Sequence, residues 1–94
     1  MLESGRQFAP KPRKDLAVES IDGDLVVLDK KHGQIHQLND TARIVWEALA
    51  AGHSLRTIVE SLVKRFGVPQ DTAAADIEKV VSQFETLKLL ESER

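Results

Sequence analysis

Asp29-Lys-Lys-His-Gly-Gln-Ile-His-Gln-Leu-Asn-Asp-Thr-Ala-Arg-Ile-Val-Trp-Glu-Ala-Leu-Ala-Ala-Gly52 is the stretch that decides how this chain folds. Lys30-Lys31-His32-Gly33 reads as a turn, with Gly33 suited to a left-handed backbone. Gln34-Ile35-His36-Gln37-Leu38 reads as a short strand. Asn39 can then accept an amide hydrogen from the first turn of a helix, and Asp40 adds favourable charge at the positive end of its dipole. Ala42, Val45, Trp46 and Leu49 recur at helical spacing with Ile44 at the margin, and Gly52 ends the helix. A strand that runs straight into a helix leaves a sheet edge beside it, able to accept a peptide.

Toward the N-terminus the pattern is that of a meander. Leu16 to Ile21 alternates loosely, with Leu16 and Val18 on one face and Ala17, Glu19 and Ile21 on the other. Asp22-Gly23 is a hairpin turn pair. Leu25-Val26-Val27-Leu28 is apolar on both faces, which makes it the middle strand. The more polar third strand falls at the edge. Toward the C-terminus Ser54 caps a second helix whose stripe is Leu55, Ile58, Val59, Leu62, Val63 and Phe66, with Arg56, Glu60 and Lys64 on the solvent side. Gly67 stops it. Pro69 restarts the chain as a third helix over roughly 70–88, burying Ala73, Ile77, Val80, Val81 and Phe84, and Leu89-Leu90 follows as a short extended tail. The expected fold is α+β: a three-stranded antiparallel sheet followed by three α-helices, winged-helix-like, over residues 15–91 with a C-terminal tail at 92–94. Putting the sheet first is unusual for a DNA-binding member of that class.

Composition removes several functions. The chain has 94 residues, enough for one small domain. It contains no cysteine, so disulfides and thiolate metal sites are excluded, and a reducing cytoplasm fits. With one Trp, three Phe and no Tyr, it offers no stacking platform for single strands. No apolar run approaches the ~20 residues needed to span a bilayer, and the N-terminus lacks the apolar core of a signal peptide. The net charge of −2 is uneven. Arg6, Lys11, Arg13 and Lys14 against Glu3 make residues 1–14 basic, a flexible lead-in in which Pro10 and Pro12 prevent a regular ladder. The remainder is acidic.

The candidate chemistry is sparse. His32 and His36 are four apart across a turn and strand, a spacing that does not converge two imidazoles as it would on a helix, so no metal site is expected. Asp22 and Asp24 flank a turn glycine, which accounts for them. There is no nucleophile elbow and no phosphate loop. The chain is not expected to be an enzyme or to carry a cofactor. A DNA-reading third helix would need a basic exposed face, yet Lys79 and Lys88 are outnumbered by Asp71, Asp76, Glu78 and Glu85. A winged-helix DNA-binding transcription regulator is therefore the alternative, and nucleic acid is not the expected partner. A structural accessory subunit that grips a partner enzyme through its helices is a third reading.

The edge strand is the better candidate. Gln34, Ile35, His36, Gln37 and Leu38 include no Lys, Glu, Asp or Pro, the residues that usually blunt an exposed edge. Such an edge can take an added peptide strand, main-chain bonds supplying affinity and side-chain pockets supplying specificity. Helical-wheel spacing sets Asp76, Val80, Gln83 and Leu87 along one flank of the third helix. That flank suits a groove wall, and it equally suits the margin of the core.

The pattern Gly33-x4-Leu38-Asn39-Asp40-Thr41-Ala42-x2-Val45-Trp46-x2-Leu49-x2-Gly52 resembles the PqqD-like peptide chaperones, also called RiPP recognition elements. The resemblance continues through Leu55-x2-Ile58, Phe66-Gly67-Val68 and Asp76-Ile77 to Leu89-Leu90, covering about residues 15–91. It implies a winged-helix-like fold and a leader segment of a precursor peptide bound as an added strand beside the third strand, against the third helix. It further implies presentation of that peptide to a modifying enzyme, often a radical S-adenosylmethionine protein, a cyclase or a leader peptidase. Carried onto this chain, the edge is Gln34, Ile35, His36, Gln37 and Leu38, and the wall is Asp76, Lys79, Val80, Gln83 and Leu87. Members dedicated to pyrroloquinoline quinone assembly usually have a more basic, tryptophan-containing middle strand. Leu25 to Leu28 departs from that, so the resemblance is to the broad family.

Overall fold

In a computed structural model of the chain, residues 10–91 are described. Three strands, β1 (Ala17–Ile21), β2 (Asp24–Asp29) and β3 (Gln34–Leu38), precede three helices, α1 (Asp40–Ala50), α2 (Leu55–Phe66) and α3 (Gln70–Thr86). This is the expected α+β order. The sheet is antiparallel in the order β1-β2-β3, so the most apolar strand is central and β3 lies at an edge. Asp22 and Gly23 both take positive φ (53° and 85°), the conformation that a two-residue hairpin turn requires and that glycine adopts without strain.

Register sorts the side chains onto two faces. Val18, Leu25, Val27, His36 and Leu38 turn toward the helices, and Ala17, Glu19, Val26, Leu28, Ile35 and Gln37 turn away. The helices close over the first face. Ala42, Val45, Trp46 and Leu49 of α1 pack with Leu55, Ile58, Val59 and Leu62 of α2 and with Ala73, Ile77, Val80, Val81 and Phe84 of α3. Trp46 and Phe84 meet edge to face, ring centroids 5.3 Å apart, an arrangement favoured by the ring quadrupoles.

The helix ends follow the expected chemistry. Asn39 accepts the Ala42 amide at 2.8 Å and Ser54 accepts that of Thr57 at 3.2 Å. α3 ends earlier than expected, at Thr86, because Lys88 turns left-handed at φ 61°. The Leu89 amide then donates to the Phe84 carbonyl at 2.9 Å and the Lys88 amide to the Glu85 carbonyl at 3.0 Å, which satisfies the open carbonyls and swings Leu89 into the core. Phe66 departs from the expected stripe. It is 56% exposed because it ends α2 beyond the packed helical faces, with the Arg65 guanidinium 5.5 Å over its ring.

Of the basic lead-in expected over residues 1–14, residues 1–9 lie outside the described residues, as do residues 92–94 of the expected tail. The remaining lead-in is fastened. The Arg13 amide donates to the Leu89 carbonyl at 2.9 Å and the Glu91 amide to the Lys11 carbonyl at 2.7 Å, bracketing one isolated bridge between Pro12 and Leu90. Proline at the centre permits no longer ladder. The Arg13 side chain is the hub of this fastening. It donates to Asp15 through Nη2 at 2.6 Å, to Asp29 through Nη1 at 3.1 Å and to the Lys88 carbonyl at 2.9 Å.

Asp29 is the one fully buried charged residue among those described. The strand period sets it on the core face after Leu25 and Val27, and a carboxylate there needs partners. His32 supplies its backbone amide at 3.2 Å and Nδ1 at 2.7 Å. A carboxylate only accepts, so Nδ1 carries the proton. Burial pushes the Asp29 pKa upward, but hydrogen bonds from His32 and Arg13 outweigh it and hold the group at about 2, against an ordinary 3.8. On acidification the unfolded chain takes up this proton first. The stabilisation is therefore complete above the ordinary value and is lost as pH falls through about 2. Urea unfolding of the wild type at a series of pH values should lose stability across that window, and Asp29→Asn should lose less. Equal acid slopes for the two proteins would contradict the assignment.

The β3 edge as a candidate peptide-binding site

β3 is held on one side by β2 and beneath by α1, while α3 packs on α1 and α2. Its other long edge carries no strand among the described residues. In an antiparallel pair, successive residues alternate between bonding the partner and facing away. Among the described residues, that edge therefore offers unpaired N–H and C=O groups. Asp29 and its partners brace the start of β3 at the turn, and the Asn39 cap and α1 brace its end.

Each expected edge residue has a distinct setting. Leu38 is buried opposite Leu25 and serves the core. His36 lies opposite Val27 on the helix-facing side, with its Nε2 buried and without a hydrogen-bond partner among the described residues. Ile35 and Gln37 point outward. Gln37 Nε2 donates to Asp24 at 2.7 Å, whereas Ile35 is 73% exposed. Gln34 is exposed beside the turn.

On α3 the expected wall divides. Asp76, Lys79 and Gln83 are exposed and Leu87 is 38% exposed, whereas Val80 belongs to the core. Val80 is buried, as its place in the apolar stripe of α3 predicts, and a helical wheel alone does not tell which residues of that flank stay open. The Arg13–Asp29–His32 cluster is not among the residues expected from the sequence. The signal lay in the period of β2, since Asp29 follows Leu25 and Val27 at intervals of two. Among the described residues no group of three or more His, Asp or Glu is placed to hold a metal ion, and no helix is long and apolar enough to cross a membrane.

A concavity of about 600 Å³ lies between α1 and α2, lined by Arg43, Ile44, Ala48, Ile58, Arg65 and Phe66 among others. Arg43 also donates to the Gly23 carbonyl at 3.1 Å, tying α1 to the first hairpin. None of the expected edge or wall residues lines this groove.

Two solved structures share the fold. One, a lasso peptide synthetase B1 complexed with the leader peptide, is 27% identical, with a TM-score of 0.83 over 89% of this chain and 99% of that one. The other, TbiB1 in complex with the TbiA(beta) leader peptide, is 21% identical, with a TM-score of 0.81 over 89% of this chain and 98% of its own. The second likeness establishes the fold alone. Comparison with curated protein sequences gives no match. The family model for coenzyme PQQ synthesis protein D (PqqD) matches residues 24–90, from the first residue of β2 to the segment that closes against Pro12. With most of its length matched and the three-strand, three-helix architecture in place, the chain belongs to the PqqD family.

Proposed function

We propose that this protein is a non-catalytic peptide chaperone. It takes the leader segment of a ribosomally made precursor peptide as an added strand along Gln34, Ile35, His36, Gln37 and Leu38, and it presents the peptide to a modifying enzyme. The observation that carries this reading is an edge strand with no charged or proline residue, braced at both ends and left unpaired among the described residues. The 27% identical neighbour, a lasso peptide synthetase B1 complexed with the leader peptide, supports the same reading. Asp76, Lys79, Gln83 and Leu87 form the exposed wall of the site on α3, backed from the core by Val80. The partner enzyme is a radical S-adenosylmethionine protein, a cyclase or a leader peptidase, and the setting is the cytoplasm. The folded unit spans residues 15–91, with Lys11 to Arg13 fastened to it.

Titration of the protein with labelled leader peptides from precursors encoded near it tests the proposal. Binding at micromolar or tighter affinity is expected, with none to duplex DNA at the same salt. Salt-sensitive DNA binding without peptide binding would overturn it, because phosphate contacts release counterions and give a steep salt slope.

A further inference from the structure

The outer face of the sheet is organised in rows that run toward the open edge. In one row Ala17 pairs with Leu28, and Leu28 with Ile35. In the next, Glu19 pairs with Val26, and Val26 with Gln37. The first row is apolar throughout and ends at Ile35, the most exposed large hydrophobic residue described at 73%. The second ends on Gln37, whose side chain is already engaged by Asp24. An apolar row that stops at an unpaired edge is complete only when the next strand continues it, since directly opposed side chains are the unit of sheet stabilisation.

We infer that Ile35 is a specificity-determining residue that pairs, on the sheet face away from the helices, with an apolar side chain of the leader strand. This rests on strand addition at β3 and extends it. The leader is read on both faces, not only where it meets α3. Side chains alternate along a strand, so the leader residues beside Ile35 and Gln37 are two positions apart whichever way the peptide runs. The peptide class is therefore an extended segment with an apolar outward residue at one position and a polar or small one two positions away.

A displayed library of random dodecapeptides, sorted against the full chain and against Ile35→Glu, tests this. Ile35 is exposed enough that the substitution leaves the core untouched, and circular dichroism checks that it does. Peptides enriched by the wild type should share one apolar position. Peptides enriched by I35E should carry Lys or Arg there with the other positions unchanged, and the wild-type winners should bind I35E about fivefold more weakly. Identical profiles for the two proteins would overturn the pairing at Ile35 while leaving strand addition intact. Failure of the wild type to enrich any peptide would overturn strand addition itself, and this inference with it.

Discussion

Phe84→Ala is expected to lower the unfolding free energy by about 3–5 kcal/mol, the usual cost of deleting a buried aromatic ring. The ring is 2% exposed and stands edge-on to Trp46, so it joins α3 to α1 at the centre of the core. Its carbonyl also receives the Leu89 amide that closes the chain over α3, a bond that alanine keeps. The loss is therefore one of packing and not of helix termination. A domain of this size has only about 5–15 kcal/mol of stability, so the variant retains a fraction of it. Trp46 is the sole tryptophan, and its fluorescence during urea unfolding reports on this contact directly. A loss below about 1 kcal/mol would mean that neighbouring side chains collapse into the space and that the α1–α3 junction does not depend on the ring.

The second large effect is on binding. Successive residues of an edge strand direct their amides to opposite sides, so of Ile35 and His36 one amide bonds β2 and the other faces the open edge. Proline removes an amide and adds bulk where a strand would approach. Of Ile35→Pro and His36→Pro, one should melt like the wild type and lose leader binding by about tenfold or more, through a lost main-chain bond and steric obstruction. The other should destabilise the hairpin. Thermal melts together with peptide titration separate them. Full-strength binding by both variants would rule out strand addition along this edge.

Much of this architecture is legible in the sequence because it is specified locally. Asp22-Gly23, Asn39, Ser54 and Gly67 each fix one backbone event, and the period of the apolar residues fixes which face is buried. The edge position of β3 follows from its polarity relative to β2. Features that depend on distant residues are not legible in this way. The period of β2 sets Asp29 on the core face, but its partner Arg13, sixteen positions earlier, reaches it from a segment that reads as a solvated lead-in. Phe66 fits the α2 period, but that period does not reveal that the packed helical faces stop short of it. Val80 and Leu87 share a flank of α3, yet one is core and the other partly open. The spacing of residues along a helix carries no information about how deeply its neighbours cover it.

In the proposed function the β3 edge, and not the groove between α1 and α2, receives the leader peptide. Amide hydrogen exchange of the full chain with and without a binding leader peptide measures this directly. The outward-facing amides among Gln34 to Leu38 should become strongly protected on binding, while amides along the α1–α2 groove keep their exchange rates. Tight binding that leaves the β3 amides exchanging as in the free protein would contradict it.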